Sequence, residues 1–132
     1  MLCVTGGIAV FKAAALTSKL TQQGAEVKVV MSKSAMEFVT PLTFQSLSRN
    51  EVYTSTFQEN NPKVVAHIDL ADWADIVLVA PATANIIGKA ANGIADDMLS
   101  TTIMATKAPV IFAPAMNNGM YENPIVQNNL EK

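Results

Sequence analysis

The residues with most chemical potential fall in two similar phrases, Leu78-Val79-Ala80-Pro81-Ala82-Thr83-Ala84-Asn85 and Ile111-Phe112-Ala113-Pro114-Ala115-Met116-Asn117. In each, an apolar run ends at Ala-Pro-Ala. Proline removes a backbone donor there and is expected to stop strand pairing, and an asparagine follows within a few residues. The small alanines leave room for a flat ligand, and the amides of Asn85 and Asn117 can bind it. Capping of a helix accounts for either asparagine alone, less readily for both. Upstream, His67 is the only histidine, the one side chain that ordinarily titrates near neutrality. A lone histidine is more often structural than catalytic, but its place between a polar stretch and the first of these strands favours catalysis. Asp69 either holds its ring or caps the next turn.

A glycine loop offers a third set of groups. Thr5-Gly6-Gly7-Ile8-Ala9-Val10-Phe11-Lys12 joins a strand to a helix, so its backbone N–H groups can approach an anion while the helix dipole favours a phosphate. The loop is neither a dinucleotide fingerprint nor a Walker A loop. A monophosphate suits it best, with a simple tight turn as the alternative. Ser32, at the end of the second strand, either donates to the same ligand or caps the helix that follows. Met116 and Met120 line the same mouth or fill core. Asp96-Asp97 imitates a catalytic carboxylate pair, yet neighbours on a helix point about 100° apart, so capping or a subunit contact suits them better.

Positioning these groups requires alternating strands and helices. Leu2-Cys3-Val4, Val27 to Met31, Ile76 to Ala80 and Val110 to Ala113 read as strands. Helical patterns cover Ile8 to Gln23, closed by Gly24, then Ala35 to Val39 and, after Pro41, Leu42 to Ser48. A helical turn is expected over His67 to Ala74 and a helix over Asn85 to Asn92, stopping at Gly93. Another helix begins at Asp96-Asp97, and a last one starts at Asn123-Pro124. Strands separated by helices imply crossovers, hence a mostly parallel sheet covered on both faces: a single-domain, three-layer α/β/α fold, Rossmann-like or flavodoxin-like. Ligands of such sheets bind at the carboxyl ends of the strands, where all the loops named above open.

The 132 residues, half of them apolar, suffice for one well-filled core. A net charge of −2 and an isoelectric point near 5.2 leave no basic footprint for nucleic acid. No apolar stretch approaches the roughly 20 residues that span a bilayer, and no secretion signal opens the chain. Cys3 is the only cysteine, which excludes an internal disulfide and argues against zinc; the expected compartment is a reducing cytoplasm. The short first strand and the final residues, which read as the middle of a helix, suggest the core of a longer polypeptide.

Taken in order, Val4-Thr5-Gly6-Gly7-Ile8-Ala9 with Lys12, His67-Ile68-Asp69-Leu70, Ala80 to Asn85, Gly93-Ile94-Ala95-Asp96-Asp97 and Pro114-Ala115-Met116-Asn117 with Met120 resemble the flavin-containing cysteine decarboxylases. Within them the chain is most similar to the decarboxylase part of bacterial bifunctional phosphopantothenoylcysteine decarboxylase/synthetases. The resemblance covers essentially the whole chain. It implies an FMN-dependent conversion of 4′-phosphopantothenoyl-L-cysteine to 4′-phosphopantetheine and CO₂. In that chemistry oxidation to a thioaldehyde provides the electron sink for loss of CO₂, and the resulting enethiol is then reduced.

Carried over by residue, the resemblance assigns Gly7, Ile8 and Ala9 to the FMN phosphate, with Ser32 as a further contact. Thr83, Ala84, Asn85 and Ala115 are assigned to its ring and ribityl chain. His67 becomes the active-site histidine, Asn117 the binder of the substrate carboxylate, and Met120 a substrate neighbour. Homotrimers are implied, with FMN at a subunit boundary and His67 supplied across it, assembling further into dodecamers. Ile86, Ile87, Met98, Met104 and Phe112 are expected to exceed what one subunit hides. The family's reductive cysteine lies on a flap beyond Asn117 that has no counterpart up to Lys132, Cys3 cannot replace it, and no synthetase domain is present. Tyr121 stands where tryptophan is common. Related readings are a decarboxylase of peptides ending in cysteine and a non-catalytic FMN-binding regulator; a flavin prenyltransferase fits the motifs less well.

Overall fold

A computed structural model describes residues 1–54, 70–116 and 118–131. Strand β1 (Leu2–Val4) leads through the glycine loop into helix α1 (Val10–Gln22). Strand β2 (Val29–Met31), a 3-10 turn (Ala35–Glu37), helix α2 (Pro41–Ser48) and strand β3 (Tyr53–Thr54) follow. Residues 70–73 are helical. Then come β4 (Val77–Ala82), α3 (Ala84–Ala91), α4 (Met98–Ala105), β5 (Val110–Pro114), α5 (Asn118–Glu122) and α6 (Pro124–Glu131). Among the described residues no helix is long and apolar enough to cross a membrane.

The strands form one sheet in the order β3-β2-β1-β4-β5, and every pairing is parallel. From β1 the chain moves out to β2 and β3, then returns to the other side of β1 with β4. The winding direction therefore reverses between β1 and β4, which opens a crevice at their carboxyl ends.

The two-residue period of the strands sorts their side chains onto the two faces. Leu2, Val4, Val29, Met31 and Ala80 pack with Val10, Ala13 and Phe44 from α1 and α2. Cys3, Val30, Val77 and Val79 pack with Ile86, Ile87, Met98, Leu99 and Ile103 from α3 and α4. These two clusters are the cores of a three-layer α/β/α fold. They also revise one expectation: Ile86, Ile87 and Met98 are not surplus but fill the second core, because the sheet must be covered on both faces.

Strand β2 begins at Val29 rather than Val27, although Lys28 already accepts a hydrogen bond from the Leu2 N–H at 2.8 Å. One of the two prolines ends its strand as expected, since Pro114 is the last residue of β5, whereas β4 continues one residue past Pro81. Ala82 still pairs with Pro114, after a register shift against β5 between Val79 and Ala82. A proline carbonyl still accepts, and a bulge absorbs the missing donor. Strand β3 was not expected, since two residues carry no periodicity, and α5 fills what reads in sequence as loop.

Candidate functional site

The site grows from the way β1 and β4 end. Thr5 follows β1 with its side chain buried. Its hydroxyl donates to the carbonyl of Pro81 and accepts from the N–H of Thr83 at 3.1 Å. The Thr83 hydroxyl in turn accepts from the N–H of Ile86 at 3.3 Å and caps α3. One residue therefore ties the first glycine loop to the first Ala-Pro-Ala loop. The second such loop joins through the Ala115 N–H, which donates to the Ala82 carbonyl at 3.0 Å.

Close approach of backbones explains the glycines. A Cβ on Gly6 would lie 2.6 Å from the Cβ of Ser34, so only glycine lets the loop after β1 pass the loop after β2. Gly7 has a φ of +136°, and nothing lies within 4 Å of where its Cβ would be. The chain there faces open space, in a conformation that side chains resist. Among the described residues, the N–H groups of Gly7, Ile8 and Ala9 meet no backbone acceptor, and they lead directly into α1. A row of donors at the positive end of a thirteen-residue helix suits a phosphate.

Beside this row a cavity of about 400 Å³ is lined by Thr5, Gly6, Ser32, Lys33, Ser34, Phe38, Thr83, Asn85, Ile86, Lys89, Asp97 and Leu99. It contains Ser32, Thr83 and Asn85 from the sequence analysis; Gly7 to Ala9 continue the loop from Gly6, and Ala84 lies between Thr83 and Asn85. Ala115 is on the same edge of the sheet. Met120, in α5, is 45 % exposed. His67 and Asn117 lie outside the described residues.

The open alternatives resolve in part. Ser34, not Ser32, holds the N-cap position of the 3-10 turn, but the Ser32 hydroxyl accepts from the Ala35 N–H at 3.1 Å, which leaves its proton available to a ligand. Asn85 is not the cap of its helix, because Thr83 is, so an exposed amide remains on the cavity wall. Asp97 caps α4, accepting from the Ser100 N–H at 2.8 Å, while its own N–H donates to the Ser100 hydroxyl at 3.2 Å. Of the acidic pair, Asp97 is thus a structural cap.

Lys89, which sequence reasoning passed over, reaches Asp96 at 2.9 Å and Asp97 at 4.0 Å. The hydrogen bond from Lys89 holds the Asp96 carboxyl below its ordinary pKa. Lys89 thus joins the end of α3 to the start of α4 and brings an ammonium to the cavity. Its seven-residue separation from Asp96 spans a turn, so no helical spacing announces it. Cys3 is fully buried, and burial pushes its thiol up to about 12; it is core, with no part in the site.

Comparison with known proteins agrees with this geometry. The bifunctional coenzyme A biosynthesis protein CoaBC of Bacillus subtilis (strain 168) is 68 % identical over 98 % of this chain, which spans 32 % of that relative. A Streptococcus mutans protein named "Probable phosphopantothenoylcysteine decarboxylase" is 46 % identical over 98 % of this chain and 74 % of its own. The crystal structure of TvaF, an FMN-dependent cysteine decarboxylase from thioviridamide biosynthesis, superposes with a TM-score of 0.89 at 32 % identity, covering 98 % of this chain and 80 % of that one. The family described as Flavoprotein matches residues 1–132 from end to end, and the chain belongs to it.

Proposed function

We propose that this chain binds flavin mononucleotide at the carboxyl edge of its sheet and serves the decarboxylation of 4′-phosphopantothenoyl-L-cysteine to 4′-phosphopantetheine in coenzyme A biosynthesis. The observation that carries the reading is the convergence, at the reversal between β1 and β4, of the Gly7 to Ala9 donor row with the cavity of Ser32, Thr83 and Asn85. One end suits a phosphate dianion. The other, with Thr83 and Asn85 on its wall, suits a flat heteroaromatic ring with hydrogen-bonding edges. The names carried by the Bacillus subtilis and Streptococcus mutans relatives supply the substrate.

Bound there, FMN supplies the two-electron acceptor and donor that a cysteine carboxylate lacks. The substrate would give up a hydride equivalent from the carbon that bears the thiol and a proton from the thiol itself; the thioaldehyde would then lose CO₂ to leave an enethiolate, which would take up one proton and then regain two electrons and two protons. In this reading the amides of Gly7, Ile8 and Ala9 hold the phosphate with help from the Ser32 hydroxyl. Thr83, Ala84, Asn85 and Ala115 border the ring and ribityl chain. His67 takes a proton or positions the carboxylate in the oxidative step. Asn117 donates its amide N–H to the carboxylate and releases it as CO₂ departs, with Met120 against the substrate.

The reading extends to a cytoplasmic homotrimer, capable of forming a dodecamer, with His67 reaching FMN across the subunit boundary. Exposed Ile8 and Phe11 at the phosphate loop, Leu42 on α2 and Ile111 on β5 supply apolar surface for such contacts. Residues 1–132 act as the FMN-binding decarboxylase domain, and the reductive half-reaction draws on a flap cysteine from outside them. The likeness to EpiD, a peptidyl-cysteine decarboxylase that superposes with a TM-score of 0.85 at 28 % identity, favours a second substrate class, peptides ending in cysteine.

The test is turnover. The purified protein should carry the visible absorbance of oxidised flavin, and oxidative release of CO₂ should be faster from phosphopantothenoylcysteine than from a peptide ending in cysteine. His67→Asn should stop CO₂ release while keeping the colour. Colourless protein that ignores added FMN, or undiminished turnover by His67→Asn, would refute the reading.

A further inference from the structure

We infer that Thr5 is a positioning residue that sets the distance between the phosphate-binding and ring-binding halves of the site. The inference rests on the FMN reading above but concerns a residue outside the ligand contacts assigned there. The ladder between β1 and β4 pairs Leu2 with Leu78 and Cys3 with Val79. Beyond it Pro81 has no N–H to offer, and β4 shifts register against β5 on its other side. The Thr5 side chain takes over at that point, donating to the Pro81 carbonyl and accepting from the Thr83 N–H at 3.1 Å. It is 4 % exposed, so neither bond is exchanged readily for one to water.

A single hydroxyl oxygen can donate to a carbonyl and accept from an amide at the same point; a methyl group can do neither. Two residues after Thr5 the Gly7 to Ala9 donors begin, and two residues after Thr83 stands Asn85. The hydroxyl thus lies on the shortest link between the two ends of the site. A ligand that engages both ends benefits from this fixed spacing, whereas one that engages the ring end alone does not.

The experiment compares FMN with riboflavin, which lacks the phosphate, by titrating apoprotein with each and following flavin fluorescence. Far-UV circular dichroism and thermal melting establish that each variant is folded. In wild type, FMN binds more tightly than riboflavin. In Thr5→Val the ratio of the two affinities falls about tenfold, equivalent to about 1.4 kcal/mol, while Thr5→Ser restores it. Thr5→Ala, which introduces no new branch, repeats the measurement if the valine variant does not fold.

Equal loss of both ligands in a folded variant, or no loss of either, overturns the inference. So does failure of both hydroxyl-free variants to fold, which would assign Thr5 to the fold and not to the site. Wild-type protein that binds neither flavin removes the FMN reading itself, a result visible before any variant is made.

Discussion

The two edges of the parallel sheet differ in chemistry more than in volume. At the amino edge a depression of about 550 Å³ is bordered by Leu20, Gly24, Glu26, Val27, Trp73 and Asp75, larger than the 400 Å³ at the carboxyl edge. Its two carboxylates repel a phosphate, and Lys28 already sits over the Trp73 ring at 4.4 Å. The carboxyl edge gathers the exits of β1, β2, β4 and β5 and the positive ends of α1 and α3. Parallel strands end together, and the helices that follow them start together. Direction of the chain, not size of the hollow, decides where the ligand goes.

A pair of glycines tests that contrast most severely. Gly6→Ala brings a Cβ to 2.6 Å from Ser34 at the carboxyl edge and should destabilise the protein by about 1–3 kcal/mol, with FMN affinity falling as the loop shifts. Gly24→Ala, at a φ of +91° on the amino edge, should cost about 1–2 kcal/mol yet leave FMN affinity unchanged. Urea unfolding and flavin titration separate the two; a flavin defect in Gly24→Ala would erase the distinction between the edges.

A second pair dissociates stability from binding. Trp73→Ala removes a half-buried ring that packs against the second core and should lower stability by about 2 kcal/mol without weakening FMN. Asn85→Ala, on an exposed amide, should stay within about 0.5 kcal/mol of wild-type stability. Its FMN affinity should nevertheless fall severalfold by fluorescence titration.

A smaller effect marks a residue that serves neither edge. Cys3, whose thiol is raised to about 12 from an ordinary 9.0, should resist iodoacetamide in folded protein at mildly alkaline pH and react once urea is added. Its raised value means that the unfolded chain loses this proton first. Its contribution to stability is therefore intact below 9.0 and declines as the pH rises from there towards 12. Rapid labelling of native protein would show that β1 opens.

Lys89→Met should give the least change. The lowered Asp96 value makes the ion pair favourable above the ordinary 3.8, with the benefit lost as the pH falls through the lowered value. The melting temperature should therefore drop slightly at neutral pH and hardly at all once Asp96 is protonated, an effect that salt also suppresses.

Much of the fold was legible in the sequence because its signals are local. Apolar runs between glycine and proline punctuation mark β1, β4 and β5, and the alanine-rich stretch closed by Gly24 marks α1. Proline at the first position announces α6. Gly7, Ser32 and Asn85 were legible as site candidates because each lies just after a strand, and parallel strands send such positions to one edge, while Thr83 entered through the family resemblance. Less legible were the bond partners. Capping by Asn85 reads well on paper, but the cap of α3 is Thr83, whose backbone is extended and whose side chain turns back to Ile86. Strand β3 exists because β2 offers a free edge, not because Tyr53-Thr54 has a pattern of its own.

By itself, then, the sequence determined the alternation of elements and the two apolar faces of the sheet, since both follow from spacing within a few residues. The strand order was decided in the tertiary structure, and with it the meeting of Thr5 and Pro81, 76 residues apart. No local period encodes such a meeting. It depends on which edge of β1 remains unpaired after the first crossover, and on burial of both sheet faces rewarding the placement of β4 there.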